Sequence, residues 1–207
     1  MSRSFQRRAA TRDIGRKIII ACEGEKTEHG YFEAIRQSLR LSTVKVRVVK
    51  PPGSDPLSVV RAAIEGRDMI KMDHRWVKGD MAWAVFDGDE HIANNPTNWY
   101  EALQIADSQG IFLAVSNPCF EFWYLLHFQD QWADITRQKA RDLLKKHLHN
   151  YEKADQLYPM PLEPLTLLAK QRAAELTVRA TTNELPLHTN PCTGVWILVD
   201  SLIALRN

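Results

Sequence analysis

The sequence predicts an α/β fold, with a parallel sheet flanked by helices in the first part of the chain and helices alone in the rest. Three apolar runs, KIIIAC (17–22), MAWAVF (81–86) and IFLAVS (111–116), have the length and composition of buried strands. The more alternating VKVRVV (44–49) is typical of a peripheral fourth strand. A helical pattern follows each of them, and such alternation of strands and helices indicates a parallel sheet.

The helices are predicted from their apolar spacing and their start signals. The first covers EKTEHGYFEAIRQSL (25–39), the second runs from about Pro56 to Met72, and the third follows Asn95, which can cap it, with Pro96 in its first turn. From Pro118 onward the pattern is helical only: CFEFWYLLHF, TRQKARDLLKKHL, LEPLTLLAKQRAAELTVRAT and CTGVWILVDSLIAL.

These patterns divide the chain into three regions. We expect a flexible basic arm at 1–16, an α/β domain at 17–128, and a helical region at 129–207 that packs on or beside that domain. A length of 207 residues is enough for one well-filled core, and 44% hydrophobic with 25% charged residues is an ordinary globular composition.

Cysteine usage and hydropathy bear on location. Cys22, Cys119 and Cys192 are odd in number and widely separated, which favours reduced thiols in the core. No apolar run approaches the roughly 20 residues of a membrane span, and the start of the chain lacks the apolar segment of a signal peptide. We therefore expect a cytoplasmic protein without membrane association.

The net charge of +2 does not by itself indicate a nucleic-acid partner, but the first 17 residues are strongly basic. They contain one acid, Asp13, and six basic residues: Arg3, Arg7, Arg8, Arg12, Arg16 and Lys17. Such an arm could follow the phosphates of DNA or RNA, and a solvated tail is the alternative interpretation.

Carboxylates follow the predicted strands, at the edge where ligands bind in open α/β sheets. Glu23 follows the first strand, Asp87 and Asp89 follow the third, and Glu121 lies just inside the helix after the fourth. If the first and third strands are neighbours, Glu23, Asp87 and Asp89 converge. Clustered carboxylates raise one another's pKa and generally need a cation, and oxygen ligands suit Mg²⁺ or Mn²⁺.

Structural roles are the alternatives for the same acids. Asp87 and Asp89 could cap turns, and Glu25 and Glu28 in the first turn of a helix would complement its dipole. Glu23 differs, because it precedes the helix at the end of a buried strand.

The segment FEFWYLLHF (120–128) is apolar on nearly every face and should be buried, with Glu121 inside it. A buried carboxylate needs a metal ion or a cationic partner, so Glu121 is either a metal ligand or a member of an ion pair. We expect Asn117 to cap this helix, Pro118 to occupy its first turn, and His127 to be a satisfied core histidine.

Basic residues also recur at helical spacing later in the chain. Arg137, Arg141 and Lys145 are four residues apart and form one stripe, which could contact phosphates or be an ordinary solvated face. Lys26, one turn into the first helix, could likewise meet a phosphate or remain a surface lysine.

Three segments, IIIACEGEKTEHGYF (18–32), VFDGDEH (85–91) and SNPCFEFWYLLHF (116–128), resemble the RloB-like family. The late NPCTGVWILVDSL (190–202) is also similar to that family, although Cys192 and Trp196 depart from its more usual residues. RloB-like proteins in turn resemble TOPRIM domains, the Mg²⁺-dependent module of topoisomerases, primases and OLD-type nucleases.

That resemblance implies that 17–128 is a TOPRIM-like, Rossmann-like domain with a parallel sheet of about four strands in the order 2-1-3-4. By the same resemblance, Glu23 is the acid after strand 1, and Asp87 and Asp89 are the acids after strand 3. It also implies a nuclease in bacterial anti-phage defence of the abortive-infection type, often beside an AAA-type ATPase. Glu23 would act as general acid or base or as a shared metal ligand, and Asp87 and Asp89 would be the primary ligands of a Mg²⁺ or Mn²⁺ ion that promotes phosphodiester hydrolysis.

Other functions share parts of this pattern. Haloacid-dehalogenase phosphatases want Thr or Val two residues after the second aspartate, where this chain has His91. A metal-dependent glycosyltransferase would not explain the acids after the first strand. A non-catalytic protein that senses Mg²⁺ or a nucleotide and docks on a separate ATPase remains open.

Overall fold

A computed structural model describes residues 16–43, 45–149, 151–152 and 157–206. Apart from Arg16, the predicted flexible arm at 1–16 lies outside the described residues. The strands are β1 (Ile18–Cys22), β2 (Val46–Val49), β3 (Met81–Asp87), β4 (Phe112–Asn117) and β5 (Cys192–Thr193). The helices are α1 (Thr27–Ser38), α2 (Pro56–Met72), α3 (Asp89–Asn94), α4 (Pro96–Gln109), α5 (Phe120–Leu126), α6 (Arg137–His147), α7 (Thr166–Thr182) and α8 (Val195–Ile203).

The strands form one mixed sheet in the order β2-β1-β3-β4-β5. The first four are parallel to one another, and their order is the predicted 2-1-3-4. The predicted parallel sheet of about four strands lacks β5, which pairs antiparallel with β4 and makes the sheet mixed. A two-residue strand has no apolar run that could reveal it. Its place depends on distant partners, including the bond of 2.8 Å between the hydroxyls of Ser116 and Thr193.

Most other elements lie close to their predicted positions. Helix α2 has the predicted bounds, and α4 begins as predicted, with the side chain of Asn95 accepting a hydrogen bond from the N–H of Asn98 at 3.2 Å. The short helix α3 was not among the helices predicted from the sequence. The three cysteines are free, and Cys22 and Cys119 are buried.

Apolar side chains cover both faces of the sheet. Along β1, Ile18 and Ile20 belong to one core cluster, whereas Ile19 and Ala21 belong to the other. Helices α2 and α4 cover the Ile19 side, and α1, α5 and α8 cover the Ile18 side. All seven residues of α5 are buried, so this helix lies inside the larger cluster. The C-terminal helices therefore pack on the sheet and share its core.

The prediction that Asn117 caps α5 is wrong. Asn117 ends β4, its side-chain amide donates to the carbonyl of His188 at 2.8 Å, and the residue before α5 is Cys119, whose side chain makes no capping bond. The N–H of Phe120 instead donates to Asp87 at 2.8 Å. The acceptor at the start of α5 thus comes from the end of β3.

Lys17, counted above with the basic arm, is a buried structural residue. Its ammonium group donates to the carbonyl of Arg75 at 2.6 Å and lies 3.3 Å from the carboxylate of Asp80, which is also buried. This pair lies at the amino ends of β1 and β3, away from the carboxyl ends of the strands. Within the described residues, no helix has the length and apolarity needed to cross a membrane.

Candidate functional site

A cavity of about 370 Å³ opens at the carboxyl ends of β1 and β3. Five acidic residues contribute to its lining, and Lys26 and Arg137 supply basic groups. The five acids are Glu23, Glu25, Glu28, Asp87 and Glu121. Acids from the segment that follows β1 and from α1, β3 and α5 therefore meet in one place, although they are spread over about a hundred residues of sequence.

Glu23 and Asp87 are adjacent, as the sequence predicts. The strands that precede them are paired in register, with Cys22 opposite Val85, and the N–H of Glu23 donates to the carbonyl of Val85 at 2.9 Å. Glu23 Oε2 in turn accepts a hydrogen bond from the N–H of Asp87 at 2.9 Å. The parallel pairing of β1 with β3 thus places the Glu23 carboxylate beside the backbone of Asp87.

Asp87 is 6% exposed, and both of its carboxylate oxygens have protein partners. Oδ1 accepts from the N–H of Phe120, and Oδ2 lies 3.0 Å from Nη1 of Arg137. Burial raises the pKa of Asp87 well above its usual range, Glu28 adds to the increase, and Arg137 opposes it. The ionised form of this carboxylate therefore depends strongly on nearby positive charge.

Asp89 begins α3 and lies outside the lining of the cavity. It is joined to the site through Arg137, whose Nη2 lies 2.5 Å from Oδ1 and whose Nε lies 3.2 Å from Oδ2 of Asp89. Two parallel bonds of this kind are the strong geometry for a guanidinium and a carboxylate. A single guanidinium therefore holds both aspartates of the D-x-D segment.

Glu121 is a member of an ion pair. Its side chain is 3% exposed, and Arg141 Nε donates to Oε1 at 2.9 Å. Of the two roles weighed for Glu121, the ion pair is observed, while its position in the lining of the cavity leaves it available as a metal ligand.

The predicted basic stripe does not form a continuous exposed face. Arg137 and Arg141 lie in the first turns of α6 and point to the acids, with side chains 21% and 25% exposed. Lys145 is exposed and lines a neighbouring cavity of about 230 Å³. The spacing of Arg137, Arg141 and Lys145 places them on one side of α6. Which of them pair with carboxylates depends on how α6 packs beside α5. Lys26 is exposed at the acidic cavity.

Three features of the site were missed by the sequence interpretation. Glu28, assigned to the helix dipole, is buried in the cavity wall. Gly24 lies against it so closely that a Cβ would be 1.7 Å from Glu28 Oε2. Nε2 of His91 lies 3.1 Å from Glu23 Oε1, a bond that raises the pKa of His91. The sequence offered one indication of this contact, because His91 directly follows the D-x-D-E segment.

The donor chemistry of the cavity fits a hard divalent cation, because its acids offer carboxylate oxygens. The Glu28 carboxylate occupies the space that a side chain at Gly24 would fill, so glycine at this position keeps that carboxylate in the cavity wall. In the part of the chain that the structure describes, however, no three side chains of His, Cys, Asp or Glu are arranged as a ready metal site. The predicted ligands Glu23, Asp87, Asp89 and Glu121 instead bond to protein groups.

Fold and site together define an α/β protein with an acidic cavity at the carboxyl ends of its parallel strands. The model of one protein family, described as RloB-like protein, matches residues 18–202. This range is nearly the whole chain, so the protein belongs to the RloB-like family, as its motifs indicated. No curated protein and no solved structure matches the chain.

Proposed function

We propose that this protein is a Mg²⁺- or Mn²⁺-dependent nuclease of the TOPRIM type, which hydrolyses phosphodiester bonds in DNA or RNA as an anti-phage effector. The observation that carries the proposal is the adjacency of Glu23 and Asp87 in an acidic cavity. The order of the four parallel strands agrees with the order that the TOPRIM resemblance implies. Membership of the RloB-like family supports the same interpretation.

In this proposal Glu23 and Asp87 hold the cation, Glu121 supplies a further carboxylate in the cavity lining, and Asp89, outside that lining, holds Arg137. A bound divalent cation would lower the pKa of water and offset the charge on the leaving oxygen. Glu23 would move the proton of the attacking water, and His91 would orient Glu23 through the bond between Nε2 and Oε1.

The basic residues would position the nucleic acid. Lys26 at the acidic cavity and Lys145 on the exposed side of α6 would contact backbone phosphates, and such contacts are independent of sequence. Arg137 and Arg141 would contact phosphate only after giving up at least one of their present carboxylate contacts. The expected partner is therefore DNA or RNA, recognised through its backbone.

The test is cleavage of plasmid DNA, single-stranded DNA and tRNA by the wild type, Glu23→Gln and Asp87→Asn, each with Mg²⁺, Mn²⁺ or EDTA. Both variants should reduce cleavage by about two or more orders of magnitude, because each removes a carboxylate charge from the reacting site. Glu65→Gln is the matched control, because it removes an exposed carboxylate of α2. Cleavage that survives EDTA or Asp87→Asn would disprove the mechanism.

A second candidate is a non-catalytic partner of an AAA-type ATPase. The pairing of Arg137 with Asp87 and Asp89 favours it, because the guanidinium then neutralises these acids without a metal ion. The same assay with and without any AAA-type ATPase that a neighbouring gene encodes discriminates the two candidates. Absence of cleavage in every condition, together with binding to that ATPase, would favour the second.

A further inference from the structure

Arg137 lies where a divalent cation would have to be in order to bridge Asp87 and Asp89. Its Nη1 lies 3.0 Å from Asp87 Oδ2, and its Nη2 lies 2.5 Å from Asp89 Oδ1. The same guanidinium lies 3.6 Å from Glu90, whose side chain is 65% exposed. Arg137 therefore neutralises the D-x-D segment from within the chain.

The two carboxylate oxygens of Asp87 have different partners. Oδ1 accepts a hydrogen bond from the N–H of Phe120 at the start of α5, so this oxygen has a structural role. Oδ2 faces the guanidinium of Arg137. A metal ion that binds Asp87 from the cavity would meet the guanidinium at Oδ2, and two cations at that contact distance repel each other.

The helix that bears Arg137 is held by other groups. Ala140 and Leu144 of α6 are fully buried, and the hydroxyl of Thr136 accepts from the N–H of Lys139 at 3.2 Å to cap the helix. The Arg137 side chain can therefore leave Asp87 without unwinding α6. Asp89 and Glu90 offer it carboxylate partners on the more exposed side.

We propose that Arg137 is the internal counter-cation of this site, and that a divalent cation binds Asp87 by displacing the guanidinium from Oδ2. Arg137 then remains on Asp89 with one face free for a phosphate oxygen. The affinity of the protein for the cation is set by this competition. The inference rests on the metal site of the proposed function, and it concerns binding of the ion, so it is measured without any cleavage.

The experiment is titration of the protein with Mn²⁺, in which binding is measured by calorimetry and by the electron paramagnetic resonance signal of free Mn²⁺. Arg137→Gln should bind Mn²⁺ about tenfold more tightly than the wild type, because the competing charge-assisted bonds are gone. Arg137→Lys should lie between the two, since one ammonium cannot make the bidentate bond to Asp89. This second variant keeps a positive charge and tests the inference if Arg137→Gln does not fold without metal.

Two controls separate displacement from a general change of charge. Lys139→Gln removes one exposed positive charge from α6, the helix that bears Arg137, without touching the aspartates, and should change the Mn²⁺ affinity by no more than about twofold because exposed charges are screened. The double variant Arg137→Gln/Asp87→Asn should not show the tenfold increase in affinity. Equal tightening by Lys139→Gln, or an increase that persists without the Asp87 carboxylate, would overturn displacement at Oδ2.

The outcomes also separate this inference from the nuclease proposal. Tighter Mn²⁺ binding by Arg137→Gln in a protein that cleaves nothing supports the inference and contradicts the nuclease. Metal-dependent cleavage with equal Mn²⁺ affinities in the wild type and Arg137→Gln supports the nuclease and overturns the inference. No Mn²⁺ binding by either protein overturns both.

Discussion

Glu23 Oε2 accepts a hydrogen bond from the backbone N–H of Asp87 at 2.9 Å. The bond joins the ends of two neighbouring parallel strands, and it uses the backbone of Asp87 while leaving that residue's own carboxylate to α5 and Arg137. Glu23 is therefore positioned by the sheet itself. A group held in this way loses little conformational freedom when it binds a ligand or moves a proton.

Asp87 has a structural role that can be separated from its charge. Asp87→Asn keeps an oxygen to accept the N–H of Phe120, whereas Asp87→Ala leaves that N–H without its acceptor. We expect the Ala variant to be less stable than the Asn variant by about 1–3 kcal/mol. Because burial opposes the ionised carboxylate, the Asn variant should be at least as stable as the wild type in EDTA. Urea unfolding of the three proteins checks this, and equal stability of the two variants would contradict it.

The pair of Glu121 and Arg141 should show strong coupling. Arg141→Gln leaves a carboxylate that is 3% exposed without its cation, and should reduce stability by about 3 kcal/mol. The double variant Arg141→Gln/Glu121→Gln should recover much of that loss, because no buried charge remains. A double-mutant cycle in urea measures the coupling, and simple additivity of the two single changes would contradict the prediction.

Replacement by alanine should have opposite effects at two glycines near the start of α1. Gly24→Ala must push the carboxylate of Glu28 out of its place in the cavity wall, so both Mn²⁺ binding and cleavage should fall. Gly30→Ala meets nothing within 4 Å on α1, and should raise stability by up to about 1 kcal/mol through helix propensity. Thermal unfolding and Mn²⁺ titration of both variants check this. Unchanged Mn²⁺ binding in Gly24→Ala would show that Glu28 has no part in the site.

His127 should make stability depend on pH. Its ring is 1% exposed, Nδ1 donates to the carbonyl of Trp123 at 2.9 Å, and burial lowers its pKa from 6.5 to about 4. Between these values the unfolded chain binds the proton and the folded protein does not, so stability falls as the pH decreases. At pH 5 the free energy of unfolding should therefore be about 2 kcal/mol lower than at neutral pH because of this histidine.

Replacement of His127 by Gln keeps a donor without this titration, so the variant should lose less stability than the wild type between about pH 7 and pH 5. His149→Gln, at an exposed position, is the control and should leave the pH dependence unchanged. Chemical unfolding at several pH values measures the slopes. Parallel slopes for His127→Gln and the wild type would assign the acid sensitivity to other groups.

Lys145 should act on nucleic-acid binding through charge alone. Lys145→Gln should weaken the binding of all sequences alike and reduce the slope of log affinity against log salt by about one. Lys78→Gln is the control, because this exposed lysine precedes β3 at the opposite edge of the sheet from the cavity. Fluorescence anisotropy at a series of salt concentrations checks the prediction. An unchanged slope would show that Lys145 is an ordinary solvated lysine that makes no phosphate contact.

Much of the fold was predictable because it depends on local patterns. Buried parallel strands are short apolar runs, and β1, β3 and β4 could be located in this way to within a residue or so. Asn95 and Pro96 identify the start of α4 through bonds and torsions within a single turn. The acids that follow β1 and β3 were equally visible, since the carboxyl ends of parallel strands share one edge.

The sequence by itself therefore determined the class of fold, the family, and the place where Glu23 and Asp87 meet. Only the tertiary structure decided what those acids touch. Arg137 is 48 residues from Asp89, and Phe120 is 33 residues from Asp87. Periodicity reports which side of an element is buried, but the partner of a charged group depends on how distant elements pack, and no local pattern encodes that contact.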